Sequence, residues 1–430
     1  MKLYFQQMIR LKSRITLILI NNLFCVLCYF NGNAVMAQDE PFTLKQCISV
    51  ALSENPLIKS SEDLFQAAVA RVYQAKALSQ PNLGFDSDLQ PDPFDFQNSG
   101  ESYLGVSKSF LFPGKRKVNT AIATKASNEV LMDADLLKLN LIYQIKMAFY
   151  MMILNQEHLK FAHQNKNLAQ DFLDKTKVKF ETGDAAQVEI LRAKVEVAKA
   201  TSEIETALNE LMTAKANLNF LLGREKNSEL EITGELYSLP VLLDLENLIE
   251  QALSNRPEIY RIRLSLEKEN LSKKQAQLSY LPDFDLGFFK HTIAREVKTW
   301  DVTLAFPIPL FFTQPIRGEI AEAKANYSSL ESELKNLKNS INLQVENAYQ
   351  FALTAQNMIE LFDKEMLQQS EQVYQMLLFS YQEGEISGIE LIEARKTLIN
   401  TKKSYGDALF NYDAAVASLE KSIGQSLETQ

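Results

Sequence analysis

Part of this chain is written twice. Leu44, Ile48, Ala51, Leu52, Ser53 and Pro56 recur at Leu245, Ile249, Ala252, Leu253, Ser254 and Pro257, each 201 residues later. The register persists at Pro81 and Pro282, Gly183 and Gly384, Glu189 and Glu390, Ala193 and Ala394, and Gly223 and Gly424. Near the middle it drifts to 196, where Phe110-Leu111-Phe112-Pro113 matches Phe306-Pro307-Ile308-Pro309, and extra residues before Gly318 are expected to restore it. Chance does not hold one spacing across so many pairs, so the fold must be two tandem copies of one unit. They are assigned to 38–234 and 235–430.

Each copy has the same order of elements. A short amphipathic helix (44–53, 245–254) leads through Asn-Pro or Arg-Pro into a longer one that ends before Pro81 or Pro282. Two strands follow, expected at 82–90 and 102–110 in the first copy and 283–291 and 297–306 in the second; Asp283-Phe284-Asp285-Leu286 alternates with the period of a strand that has one greasy face. Very long helices come next. Residues 115–181 hold no Gly or Pro in 67 positions and 319–383 none in 65, which predicts rods of about 100 Å. Returning helices at 184–222 and 389–423 complete hairpins over 115–222 and 319–423. Their apolar stripes step by four and three residues: Ala193, Val197, Ala200, Ile204, Ala207, Leu211, Ala214 and Leu218 in one, Ala394, Leu398, Thr401, Tyr405, Ala408, Tyr412, Ala415 and Leu419 in the other. The third rod carries a similar stripe from Leu330 through Ile341, Val345, Ala348, Ala352, Ala355, Ile359 and Phe362 to Met366. Such seams specify coiled-coil pairing.

Composition fits. The 430 residues include only 14 Gly and 12 Pro, about half the usual share, and they fall mainly at strand junctions and hairpin turns. A formal charge of −9 excludes a general nucleic-acid binder. At the N-terminus, Lys2, Arg10, Lys12 and Arg14 precede an apolar run from Ile15 to Phe30, and Val35-Met36-Ala37 supplies small residues for cleavage. Residues 1–37 therefore read as an export signal. Neither Cys25 nor Cys28 follows the small residue of a lipoprotein signal, so an unlipidated start near Gln38 is expected. Only Cys47 then remains, and one thiol staples nothing. Beyond the signal no run approaches the roughly 20 apolar residues of a spanning helix, so any membrane crossing must use β-strands.

Four strands cannot close a barrel, and an open sheet in lipid leaves edge groups unpaired at several kcal/mol each. Three copies would supply 12 strands and ring their long helices around one axis. The expected fold class is mainly α with β: long coiled-coil hairpins forming an α-barrel, plus four strands per chain completing a trimeric 12-stranded transmembrane barrel.

The export signal, the duplication, the Pro-flanked strand pairs and the pattern aromatic-x-x-Gly-x5-Glu-x3-Ala together resemble the TolC-like outer membrane efflux proteins over essentially the whole mature chain. Phe180, Gly183, Glu189 and Ala193 fill the pattern once; Tyr381, Gly384, Glu390 and Ala394 fill it again. The resemblance implies a homotrimer in the outer membrane of a Gram-negative bacterium, with a helical tunnel across the periplasm. It further implies docking through a periplasmic adaptor, or membrane fusion protein, to an inner-membrane pump of the resistance-nodulation-division or ABC type. It makes Phe180, Gly183, Glu189, Gly384 and Ile386 the adaptor-contact tips, and Glu390 and Glu393, with Tyr381, the periplasmic aperture. In the first copy the equivalents are Glu189 and Arg192, so the second acid is absent. A solvated helix face would explain all four equally well. Relatives that latch the tip place an arginine where this chain has Ile386, so that salt-bridged latch is not expected here.

Phe110, Phe112, Lys115, Arg116 and Lys117 lie where a strand meets a rod, and suit a membrane interface with outer-membrane lipid. The Pro-Gly-Lys-Arg junction resembles the heavy-metal branch of the family. His158, His163 and His291 are too scattered for a metal site, and no phosphate loop, metalloprotease helix or nucleophile elbow occurs. No enzyme activity, cofactor or bound metal is expected. The expected function is a passive exit duct for small molecules or metal cations; a type I protein secretion channel and a structural coiled-coil envelope protein remain as alternatives.

Overall fold

In the computed structural model, residues 41–427 are described except 90, 91, 93, 97, 98, 226, 227, 237–243, 294, 295 and 308–312; the signal expected at 1–37 lies outside the described residues. The first copy contains α1 (Leu44–Glu54), α2 (Pro56–Lys76), β1 (Asn82–Asp88), β2 (Glu101–Phe110), α3 (Lys115–Thr182) and α4 (Gln187–Leu221). The second contains α5 (Leu245–Asn255), α6 (Pro257–Leu278), β3 (Phe284–Ile293), β4 (Val297–Ala305), α7 (Thr313–Leu361), a π-helical turn (Phe362–Met366), α8 (Leu367–Glu383) and α9 (Gly388–Ile423).

Local chemistry sets the first helices. Thr43 and Gln46 form a capping box at α1, and Pro56 and Pro257 open α2 and α6 where a missing N–H costs nothing. The duplication is visible atom by atom. Asn55 donates its side-chain N–H to the Leu221 carbonyl at 2.7 Å, and Arg256, 201 residues on, donates to the Ser422 carbonyl at 3.3 Å. Beneath each contact, Gly223 and Gly424 take positive φ, and a Cβ on Gly223 would fall 3.0 Å from the Asn55 backbone.

The two inner cores match in the same way. Cys47, Ala51, Ile58, Leu218 and Leu222 pack with Ile145 and Phe149; Leu248, Ala252, Ile259, Leu419 and Ile423 pack with Ile341 and Val345. The first five pairs keep the 201 spacing, but Ile145 and Ile341, like Phe149 and Val345, stand 196 apart. The register is therefore still 196 well inside the third rod, and is restored between Val345 and Gly384 rather than before Gly318. The second rod holds five more residues there than the first, more than one 3.6-residue turn, and the wider π turn lies within this interval. The buried stripe that reaches Phe362 continues at half-buried Leu367, five residues later, while Met366, expected in the seam, is turned outward.

Other boundaries shift modestly. The third rod starts at Thr313 rather than 319, because Pro315 sits within the first turn, and β3 runs on to Ile293. One 18-residue window in α3 reaches a mean hydropathy of 1.2, enough by composition for a span, yet α3 packs against α2, α4, α6 and α9. Cys47 is fully buried in the first core, and desolvation pushes its thiol up to about 11.

The strands form one antiparallel sheet in the order β1-β2-β3-β4, leaving β1 and β4 as edges. Its register sorts side chains by face. Leu83, Val106, Phe288 and Val302 form one row, and Phe85, Leu104, Lys290 and Trp300 the next. These apolar side chains are exposed, Leu83 at 77% and Trp300 at 75%. On the opposite face stand Asp86, Tyr103, His291 and Thr299 in one row, with Glu101 and Asp301 beside it. Tyr103 stacks on His291 and donates to Glu101 at 3.0 Å.

Candidate functional site: the hairpin tips and the sheet junction

Both rods reverse on a glycine. Gly183 (φ +87°) closes α3 with Gly183 N–H on the Phe180 carbonyl and Asp184 N–H on the Lys179 carbonyl. Gly384 (φ +84°) closes α8 with the same pair of bonds, to Tyr381 and Ser380. Only a residue without Cβ takes this left-handed cap at no cost, so a glycine is required twice.

Their surroundings differ. Phe180 is 43% exposed, whereas its counterpart Tyr381 is 2% exposed, packed on Phe172 and beneath the Lys179 ammonium at 4.8 Å. The Thr176 hydroxyl donates to the Phe172 carbonyl, so at 3.0 Å it accepts from the Tyr381 hydroxyl. Tyr381 thus ties the second tip to α3 of the first hairpin. Burial pushes its hydroxyl above the ordinary tyrosine value, and the nearby Glu189 charge adds to the shift. Ile386, at the missing latch-arginine position, joins the same apolar cluster with Leu173, Tyr374 and Leu391.

Glu390 and Glu393 are exposed on the first turns of α9. The Ser387 hydroxyl reaches Glu390 at 3.5 Å, and Lys396 pairs with Glu393 at 3.1 Å, partly offsetting its charge. Glu189 is half-buried and Arg192 exposed. One chain supplies a single copy of each acid, so a ring of either around an external axis requires further copies.

An ion pair that the sequence did not single out lies behind the tip. Arg395 of α9 meets Glu196 of α4 at 2.6 Å, with side chains 4% and 9% exposed. Lys199 and Lys396 approach the same carboxylate at 3.3 and 3.9 Å, and Arg395 also donates to the Asn165 carbonyl of α3. Burial lowers the Arg395 pKa and the Glu196 charge raises it. No periodicity flags this pair: each residue stands beside an apolar seam position, and their partnership spans 199 residues.

At the junction, the expected interface residues separate into two groups. Phe110 stacks on Phe284 with centroids 5.4 Å apart. Asp283, expected within a strand, sits just before it and accepts from the Phe112 N–H at 2.7 Å and the Lys115 ammonium at 2.9 Å. Lys115 is thus engaged within the protein rather than free for headgroups, while Arg116 and Lys117 are exposed.

An antiparallel sheet with an apolar outer face, standing on helical hairpins about 100 Å long, defines a channel-forming envelope protein. The chain belongs to the outer membrane efflux protein family: the model described as "Outer membrane efflux protein" matches residues 47–224 and again 248–425. Nodulation protein T of Rhizobium leguminosarum bv. trifolii is 22% identical over 402 residues, covering 89% of this chain and 85% of that protein. The cobalt-zinc-cadmium resistance protein CzcC of Cupriavidus metallidurans is 19% identical over 387 residues, covering 90% of each. Among solved structures, the outer-membrane channel OprN superposes with a TM-score of 0.75 at 17% identity, covering 89% of this chain and 90% of that one. The chain is accordingly an outer-membrane efflux channel with a periplasmic helical tunnel, and not an enzyme.

Proposed function

We propose that the chain works as a homotrimer, each copy lending four strands to one closed barrel, and that it conducts metal cations or small molecules passively from an inner-membrane pump to the exterior. The carrying observation is the sheet: both edges are open, one face is apolar and exposed and the other polar, which suits lipid outside and water inside once neighbouring copies pair β1 with β4. Three-fold symmetry brings three copies each of Glu390 and Glu393 to one aperture, where clustered carboxylates favour cations. The exposed apolar side chains Phe180, Val188 and Leu191 at the first tip, and Phe379 and Ile389 at the second, offer the periplasmic adaptor a surface. A metal-cation cargo is supported by these acids and by the printed name of CzcC, a cobalt-zinc-cadmium resistance protein. Outer-membrane extracts run unheated and heated on denaturing gels test the assembly. A heat-labile trimer is expected; a chain that stays monomeric in the soluble fraction contradicts it.

A further inference from the structure

A groove of about 920 Å³ opens beside the junction, between the end of α2, the end of β2 and the start of α3. Lys76, Lys108, Arg116 and Lys117 all line it, together with Phe110 and Leu111, and no carboxylate does. Neighbouring Lys115 is neutralised by Asp283. Among the described residues, none of the four groove cations lies within 4.0 Å of a carboxylate. Two of them occupy the first turn of α3, where cations oppose the helix dipole, and its N-cap, Gly114, supplies no side-chain hydrogen bond. Four cations without a carboxylate partner, Lys76 and Lys108 resting over the rings of Tyr73 and Phe110, converge on one concave site and call for an anion.

The surroundings say which anion. Lys108 shares the sheet's apolar face with Leu286 and Leu304 in its own row, and with Val106, Phe288 and Val302 in the next. The basic groove and the exposed greasy surface therefore share Lys108, at the end of the sheet from which the rods descend. A free phosphate has no use for the second half of that site; a phospholipid fits both. We propose that the groove binds the headgroup of an anionic phospholipid of the membrane's periplasmic leaflet, with an acyl chain lying along Leu286, Leu304 and Val302. This rests on the membrane reading above and adds a ligand to it.

Native mass spectrometry of the full-length protein in detergent, titrated with phosphatidylglycerol or with phosphatidylcholine of the same acyl chains, tests it. Phosphatidylglycerol adducts should exceed phosphatidylcholine adducts. They should fall by about tenfold or more in Lys76→Gln/Lys108→Gln/Arg116→Gln/Lys117→Gln, because each basic residue near an anionic surface contributes substantially. The charge-matched control Lys59→Gln/Lys160→Gln/Lys194→Gln/Lys215→Gln should bind as the parent does, and excess inorganic phosphate should displace nothing. Arg116→Gln/Lys117→Gln, confined to two exposed residues, should lose binding in the same direction if the fourfold variant does not fold. Equal uptake of both lipids, equal uptake by the variants, or displacement by phosphate overturns the lipid site. So does a fourfold variant that loses assembly but keeps its lipid, since a neighbouring copy then covers the groove. A protein that conducts ions yet fails these tests sinks only the lipid site; one that neither assembles nor conducts sinks the duct itself.

Discussion

At the first tip Phe180 stands in solvent beside a glycine turn; at the second, the equivalent Tyr381 is buried against Phe172 and bonded to Thr176. Behind the first, Lys194 is exposed; behind the second, its counterpart Arg395 is sealed against Glu196. The first rod runs 68 residues as unbroken α-helix, while the second passes through a π turn 18 residues before its glycine. One ancestral hairpin has thus become two devices. The first hairpin is the frame, and the second is strapped to it at Thr176 and at Glu196, contacts that can be undone.

The largest effect should come from the ion pair. Arg395→Ala leaves the Glu196 carboxylate buried, with Lys199 and Lys396 as its remaining cations among the described residues, and removal of one member of a buried pair costs about 3–5 kcal/mol. Thermal unfolding should register that loss, whereas Lys194→Ala at the exposed equivalent position should stay within about 0.5 kcal/mol. Equal effects would erase the distinction between the hairpins. Next comes the π turn, whose wider hydrogen-bond ring breaks the regular ladder. Amide hydrogen exchange should run on the order of tenfold faster across Phe362–Met366 than in the matching part of α3; uniform protection would mean that the π turn does not set the two rods apart.

Tyr381→Phe deletes one hydrogen bond and should destabilise the tip by about 1 kcal/mol, while Phe180→Leu should be nearly silent. The smallest effect is a pH dependence. Tyr381 has a raised folded-state value, so its contribution is complete below the ordinary value of 10 and is lost as pH rises beyond it. Channel opening monitored between pH 9 and 11 should show an alkaline increase that Tyr381→Phe abolishes. An increase that survives the substitution assigns it to another group.

Much of this architecture is legible in the amino-acid order. The 201 spacing, the glycines at 183 and 384, and the four-three stripes locate hairpins, turns and seams, because caps and periodicity are local properties. The strand alternation likewise foretells a sheet with one greasy face. What stays hidden depends on partners far apart in sequence. Asp283 reads as a strand residue until Phe112 and Lys115 are seen to converge on it. Glu196 and Arg395 read as ordinary helix charges until their helices pack. The π turn leaves only a trace, the change from 196 to 201, which the drift at Phe306-Pro307 drew toward the strand end instead. Charge at the tip, by contrast, has a local partner: Glu393 counts as an aperture acid in sequence, and Lys396, three residues on along the same helix, shares it.

In the proposed duct, the second hairpin forms the narrow, acid-lined entrance. Single-channel recording of the purified full-length protein in planar bilayers tests this most directly. A small, cation-selective conductance is expected, rising with weakened selectivity in Glu390→Ala/Glu393→Ala and changing little in Glu189→Ala at the first tip. A conductance unchanged by the double substitution, or a protein that carries no current at all, would contradict it.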